Sequence, residues 1–277
     1  MQNNHPRIYG VLGFPLKHSF SPKLHNYWFR KLKINATYKK FEVSEKKIKE
    51  LIKKIKLKKI YGLNVTVPYK LKIIKKLNWL NGDARFTRSV NTIFYKNNKL
   101  IGENTDVYGF ERGFLKKIKN IKKKTALILG AGGVVSSIVL ALKRNKIKKI
   151  IICNRTLKKI YSLKKRFKIN FQVEIWKNRN KQLNNADIII NATSLGMKNK
   201  PSLILDVRRI KPKSVYCEIV YNPLKTKVIK QCLKRGIKTL NGLDMFIFQA
   251  ARSFYFWHKK KTTLNLKEKK LIFKNLK

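Results

Sequence analysis

Apolar positions in the first hundred residues follow two periods, and each period predicts a different element. Residues 7–13, 37–43 and 60–67 carry short apolar or alternating runs and read as strands, the last stopped by Pro68. Residues 22–32 read as a helix opening at Pro22. In residues 44–56, Ile48, Leu51, Ile52 and Ile55 recur at the i, i+3, i+4, i+7 spacing of one helical face, with Ser44 as the expected N-cap. A lysine-rich stripe of this kind can lie on a membrane. The expected arrangement is a helix packed on a sheet, stripe inward and lysines in water.

From residue 124 the texture becomes a plain alternation of strand and helix. Residues 125–129 form a near-continuous apolar run, as a parallel strand covered on both faces requires. A helix through residue 142 follows, then strands at 149–153, 187–191 and 214–219. An aromatic-rich helix at 245–257 and a last helix near the end come after the wound unit closes. They are expected to pack back on the first domain and make it discontinuous: residues 1–106 plus 242–277 for one domain, 107–241 for the other. The expected fold class is α/β, two α/β domains, the second a doubly wound parallel sheet.

Composition adds an imbalance of sign. Lys+Arg number 67 against Asp+Glu 13, a formal net charge of +54 over 277 residues. The lysines run along the whole chain and far outnumber the arginines that bidentate phosphate or guanine contacts favour. No specific nucleic-acid partner is therefore expected, although nonspecific polyanion binding at low salt is. No window approaches the roughly 20 apolar residues of a bilayer span, and residues 1–5 show no leader pattern. The 3 cysteines, Cys153, Cys217 and Cys232, form no pair or ligand spacing with the 4 histidines. A reducing, cytoplasmic setting without disulfide or metal is the expectation.

Candidate chemistry begins at Leu129-Gly-Ala-Gly-Gly-Val-Val135, between a strand and a helix. Gly130 permits the tight turn, Gly132 lets a pyrophosphate approach, and the helix start complements its charge. Gly130, Ala131, Gly132, Gly133 and Val134 are the candidate phosphate loop. The third fingerprint position is Val135, where Gly or Ala is usual. The next strand ends Cys153-Asn-Arg-Thr156, with Lys158 and Lys159 beyond, and has no carboxylate for a ribose 2′-hydroxyl. Asn154, Arg155, Thr156 and Lys159 suit a 2′-phosphate instead, so the cofactor read here is NADP(H).

In the first domain, Ser19 and Ser21 lie two apart before Pro22. An extended segment there turns both hydroxyls to one side, with Ser21 as N-cap. That arrangement suits a carboxylate receptor, and equally an ordinary capped helix. Asn64 and Thr66 share one face of their strand, with Lys70 just past the proline stop. Ser89-Val-Asn-Thr92 and Gly102-Glu-Asn-Thr-Asp106 add the amide of Asn91 and a carboxylate, Asp106; an ordinary helix cap would equally suit Asp106 or Thr105.

Taken in order, these segments resemble the shikimate dehydrogenase family. The likeness runs from Ser19–Pro22 through Asn64–Lys70, Val90-Asn-Thr92, Asn104-Thr-Asp106, Gly130–Gly133 and Asn154-Arg-Thr156, then on to Asn191-Ala-Thr-Ser-Leu-Gly-Met197 and the segment from Gly242 to Ala251. The resemblance implies reversible, NADPH-dependent reduction of 3-dehydroshikimate to shikimate, a step of chorismate and aromatic amino-acid biosynthesis. It implies a Rossmann-type second domain and a catalytic pair, Lys70 and Asp106. It assigns Ser19 and Ser21 to the substrate carboxylate, and Asn64, Thr66, Asn91, Tyr221 and Gln249 to the ring. Ile219 and Gly242 would lie near the nicotinamide. A monomer or homodimer is expected.

Some positions depart from that pattern. Arg88-Ser89 stands where Gly-Ala usually precedes Val-Asn-Thr, and Val134, Val135 and Ser136 replace small residues and an Arg after the glycine loop. Glu218-Ile219 replaces the usual acidic residue and Met before Val220-Tyr221. Two other readings remain: a quinate/shikimate dehydrogenase using NAD, and a degraded homologue acting as a polyanion-binding protein. Of the remaining residues, His25 and His258 are expected to be structural. The aromatic run Phe246, Phe248, Phe254, Phe256 and Trp257 is expected to be packing, with Gln249 its functional exception.

Overall fold

The computed structural model describes residues 5–167 and 171–276; residues 1–4, read above for a leader pattern, lie outside them. The chain forms two compact units, one from the described residues up to Asp106 plus Ile247–Phe273, the other from Val107–Phe246 with the described residues from Lys274 onward.

The first unit is built on a mixed six-stranded sheet of β1 (Arg7–Leu12), β2 (Ala36–Phe41), β3 (Gly62–Val65), β4 (Trp79–Leu80), β5 (Thr92–Lys96) and β6 (Lys99–Glu103). Its order is β2-β1-β3-β5-β6-β4, parallel from β2 to β3 and antiparallel across β3, β5 and β6. Helices α1 (Ser21–Lys31), α2 (Ile48–Lys56) and α3 (Gly82–Thr87) belong to it. The α2 stripe behaves as its period requires. Ile48, Leu51, Ile52 and Ile55 are buried in one core with Leu12, Leu63, Val65 and Ile93, so the stripe faces the sheet and not a membrane.

Three local expectations are corrected. The segment from Ser44 opens with a 3-10 turn, Glu45–Lys47, before the α-helix proper, and the Ser44 hydroxyl makes no capping bond. The third strand is Gly62–Val65, not 60–67. The Ile60 N–H is taken by the Lys54 carbonyl at the end of α2, and pairing with β5 stops at Asn64 and Thr92. Val67 is 60% exposed and so does not alternate into the core. Ser21 is the first residue of α1; Phe20, in αR conformation, holds the N-cap position. The Ser19 N–H donates to the Leu16 carbonyl, so this stretch is a turn and not an extended segment.

The second unit follows the expectation for a doubly wound sheet. Helix α4 (Asp106–Gly113) leads into β7 (Thr125–Leu129), α5 (Val135–Arg144), β8 (Lys149–Asn154), α6 (Leu157–Phe167), β9 (Gln172–Ile175), α7 (Arg179–Leu183), β10 (Ile188–Asn191), β11 (Val215–Glu218), α8 (Lys227–Lys234) and β12 (Lys238–Leu240). All strand pairs are parallel, in the order β12-β11-β10-β7-β8-β9. Numbered from β7, this is the 3-2-1-4-5-6 order of dinucleotide-binding sheets, with its switch point between β7 and β10. Successive residues enter opposite cores: Ala126, Ile128, Ile150 and Ile152 one, Leu127, Leu129, Ile151 and Cys153 the other. That double coverage explains the unbroken apolar runs.

Helix α9 spans Leu243–His258, longer than the aromatic run predicts because the Asn241 side chain accepts the Leu243 N–H. The last helix, α10, is Leu266–Ile272, opened by a capping box between Asn265 and Glu268.

Helix ends carry a signature of the lysine-rich composition. Lys33, Lys58 and Lys146 follow α1, α2 and α5 with φ of 51°, 53° and 55°. Each lies in a left-handed turn closed by two backbone bonds, as in Lys33 N–H to Arg30 and Ile34 N–H to Phe29. After α8 the equivalent residue is Gly236, at φ 65°. Arg88, at φ 50°, occupies another such position, which accounts for the glycine of the family pattern there.

Candidate active site

Lys70 follows the Pro68 stop, and its carbonyl accepts the Val90 N–H at 2.9 Å, which ties the lysine loop to the segment carrying Asn91. Asp106 opens α4. Its N–H donates to the Asn104 side chain at 3.0 Å, so Asp106 lies inside the helix and not at the cap position the sequence offered it. These constraints bring the Lys70 ammonium within 2.6 Å of Asp106 Oδ2, with the two side chains 15% and 6% exposed. The Asn91 amide donates to Asp106 Oδ1 at 2.9 Å, so both carboxylate oxygens are engaged. A charge pair this far from water keeps a fixed geometry, because separating it would strand a desolvated charge.

Around the pair runs a continuous hydrogen-bond web. Asn91 Nδ2 also reaches Thr105 Oγ1 at 2.9 Å and Gln249 Oε1 at 3.3 Å, and Asn91 Oδ1 accepts the Thr105 N–H at 2.8 Å. Asn64 Nδ2 donates to the Asn91 carbonyl at 3.0 Å, while its Oδ1 accepts the Tyr38 hydroxyl at 2.7 Å. Tyr38 in turn shares a side-chain hydrogen bond with Ser21; burial keeps its phenol well above the usual range. The structure thus links Lys70, Asp106, Asn91, Asn64, Gln249 and Ser21. Ser19 is half-buried and its Oγ accepts the Ser21 N–H at 3.4 Å. Thr66 lies just beyond β3, where an added Cβ at Gly13 would sit 2.4 Å from its methyl group. That glycine gives Thr66 its place.

Sequence reasoning missed Tyr38, Thr92, Thr105 and Ser253, all buried in this web. Ser253 had one readable signal: a small hydroxyl in an aromatic run, one helical turn after Gln249.

In the second unit, Gly130 adopts φ 107° just after β7, where a side chain would meet Thr193 and Ala192, the two residues that follow β10 across the switch point. A Cβ at Gly132 or Gly133 would meet nothing within 4 Å, so the loop is open to a ligand. Ala131 and Val134 are partly buried beside the core, and Val135 is wholly buried at the first position of α5. Packing is therefore accommodated at this departure from the fingerprint. Asn154 ends β8 and donates to the Thr156 carbonyl at 2.9 Å; Arg155, Thr156 and Lys159 are exposed, with no acid among them. These residues fit a dinucleotide bearing a 2′-phosphate.

Gly242 approaches Ile219 so closely that a Cβ would lie 2.0 Å from the Ile219 carbonyl oxygen, and its N–H donates to Val220. Tyr221 stacks on Phe246, centroids 4.5 Å apart. Beneath this segment Glu218 is fully buried. It accepts from Asn191 at 2.9 and 3.1 Å, Tyr216 at 2.9 Å, the Val220 N–H at 3.1 Å and Thr226 at 3.3 Å. Burial raises its carboxyl to about 7 against the lowering effect of those donors. Among the described residues no helix is long and apolar enough to cross a membrane, and no group of three or more His, Cys, Asp or Glu is placed to hold a metal ion.

Fold and side chains together define a two-unit α/β dehydrogenase, a doubly wound sheet with an open glycine turn joined in sequence to a unit holding a part-buried lysine–carboxylate pair. Residues 11–93 match the family model for the shikimate dehydrogenase substrate binding domain, and residues 114–210 that for shikimate / quinate 5-dehydrogenase. A shikimate dehydrogenase (NADP(+)) of Pelagibacter ubique is 47% identical over 90% of this chain and 92% of its own. The crystal structure of the Aquifex aeolicus shikimate dehydrogenase superposes with a TM-score of 0.86 at 33% identity, covering 95% of this chain and 96% of that one. That of the Thermus thermophilus enzyme with NADP(H) and shikimate gives 0.82 at 26% identity, over 93% and 95%. The chain belongs to the shikimate dehydrogenase family.

Proposed function

We propose that the protein is an NADP-dependent shikimate dehydrogenase that interconverts 3-dehydroshikimate and shikimate, and that Lys70 and Asp106 are its catalytic pair. The first unit is the substrate domain and the second the nucleotide domain. The observation that carries this reading is the 2.6 Å contact of half-buried Lys70 with buried Asp106, flanked by Asn91.

Bound NADP(H) supplies or accepts the hydride. As a ketone carbon is reduced, negative charge builds on its oxygen, and the Lys70 ammonium stabilises that charge more strongly as it grows. Lys70 also carries a proton for the alcohol. Asp106, held at its other oxygen by Asn91, keeps the ammonium oriented. Ser19 and Ser21 bind the substrate carboxylate, and Asn64, Thr66, Asn91, Tyr221 and Gln249 bind the ring hydroxyls. Polar groups of this kind reject analogues, because an absent hydroxyl leaves them unpaired. In the nucleotide domain, the loop of Gly130, Ala131, Gly132, Gly133 and Val134 receives the pyrophosphate. Asn154, Arg155, Thr156 and Lys159 hold the 2′-phosphate, and Ile219 and Gly242 border the nicotinamide. The three cysteines are buried free thiols, which suits a cytoplasmic enzyme.

The test is an absorbance assay of purified protein with NADP⁺ and NAD⁺, each against shikimate and quinate. Turnover of shikimate with NADP⁺ well above the other pairs is expected; no turnover of shikimate overturns the reading.

A further inference from the structure

Ser253 is wholly buried on α9, 189 residues from Asn64 and one helical turn beyond Gln249. Its Oγ meets four groups: Asn64 Nδ2 at 2.9 Å, Thr92 Oγ1 at 2.7 Å, Thr105 Oγ1 at 3.1 Å and the Gln249 carbonyl at 3.1 Å. A hydroxyl has one proton to give and two lone pairs to fill. The Gln249 carbonyl can only accept, so it takes the Ser253 proton. The Asn64 amide nitrogen can only donate, so it fills one lone pair, and the Thr92 hydroxyl fills the other, its 2.7 Å contact being shorter than both its own 3.0 Å contact with Asn91 Oδ1 and the 3.1 Å contact of Thr105 with Ser253.

That assignment sets the direction of the remaining web. With Thr92 committed to Ser253, the Thr105 hydroxyl is directed to Asn91 Oδ1 at 3.2 Å, and Asn91 Nδ2 keeps its protons for Thr105 and Asp106. Asn64 spends its two N–H groups on Ser253 and the Asn91 carbonyl, which leaves Oδ1 to Tyr38. We propose that Ser253 is a positioning residue for substrate binding: through its hydroxyl it fixes the amide orientation of Asn64 and the Gln249 turn of α9 that frame the Lys70–Asp106 pair. The inference rests on the reading of these side chains as the shikimate site. Ser253 acts through Asn64, Asn91 and Gln249, and has no reacting atom of its own.

Removing the oxygen alone leaves that N–H of Asn64 only the longer contact to Thr92 Oγ1 at 3.2 Å, so the amide shifts toward it and loosens. The experiment compares wild type, Ser253→Ala and Ser253→Cys in steady-state kinetics with NADP⁺ and shikimate, with thermal unfolding measured alongside. Ser253→Ala is expected to raise KM for shikimate about 5- to 20-fold, with kcat lowered less and KM for NADP⁺ within twofold. Ser253→Cys, with a weak donor and acceptor of similar size, should fall between the two, and it decides the matter if the alanine variant does not fold. An active wild type whose variants keep their KM for shikimate overturns this inference alone. So does a parallel rise in both KM values with a collapsed Tm, which marks a purely structural role. A wild type without shikimate turnover overturns the site reading, and this inference with it.

Discussion

Lys70 meets Asp106 at Oδ2, 2.6 Å away, from a loop 36 residues earlier in the chain. Neither residue lies in a regular strand: one follows a proline stop and the other opens a helix. Their meeting is fixed by backbone bonds of Lys70 to Val90 and of Asp106 to the Asn104 side chain.

Lys70→Ala removes the group proposed to stabilise charge on the substrate oxygen. Its kcat should fall by about 10² or more, with a smaller change in KM for shikimate. Steady-state assay of the reverse and forward reactions checks this; near-normal turnover would take Lys70 out of the mechanism.

Arg155→Ala should weaken NADPH far more than NADH. The guanidinium is proposed to contact the only phosphate that distinguishes the two nucleotides. Fluorescence titration of both cofactors reads the difference directly. Equal losses for the pair would place Arg155 elsewhere than at the 2′-phosphate.

Stability on acidification should turn on buried His25 and half-buried His258 working against buried Glu218, with buried Glu103 adding to the glutamate side. Burial lowers His25 to about 3 and His258 to about 4, from an ordinary value of 6.5. The stability they contribute is whole above about pH 6.5 and is lost as the pH falls toward their folded values. Glu218, raised from 4.5 to about 7, has the opposite sign: its contribution is present below 4.5 and lost as the pH rises through 7. Between pH 5 and 6.5 the histidines prevail, so Tm should drop on acidification. His25→Phe should flatten that slope, since an apolar ring still stacks on Tyr38, 4.3 Å away. Glu218→Gln should steepen it, whatever its effect on the absolute Tm. Calorimetry across this range decides, and three identical slopes would refute the assignment.

Glycine at the lysine-occupied helix ends should stabilise the fold. Lys33→Gly, Lys58→Gly and Lys146→Gly each relieve a left-handed backbone strain of roughly 1 kcal/mol. The side chains lost are exposed. Denaturant unfolding should show midpoints rising additively, because the sites share no partner. The reverse change, Gly236→Lys, should destabilise by a similar amount.

Much of the architecture was legible because its signals are local. Strands β7, β8, β10 and β11 announce themselves as unbroken apolar runs, since both faces are covered. The α2 stripe is visible because its four apolar residues repeat at helical spacing. Two-residue β4 and five-residue α7 carry too few positions to show any period. The candidate site was legible wherever a motif kept its polar side chains in one stretch, as at Asn64–Lys70 or Asn104–Asp106. It was not legible where partners meet from opposite ends of the chain. Ser253 contacts Asn64 and Thr92 across 189 and 161 residues, and no spacing rule reaches that far. Ser21 shows the other failure: its pattern suits an N-cap, yet Phe20 takes that position and the serine hydroxyl turns to Tyr38.

The left-handed lysines also add a positive charge just past the carbonyl end of each helix they follow. Attraction to the helix dipole therefore returns part of what the awkward backbone costs, about 0.3–1 kcal/mol per site in dilute buffer. Added electrolyte shields that attraction within about 10 Å at 0.1 M and leaves the steric term untouched. The advantage of glycine over lysine at these three turns should thus widen as salt is raised.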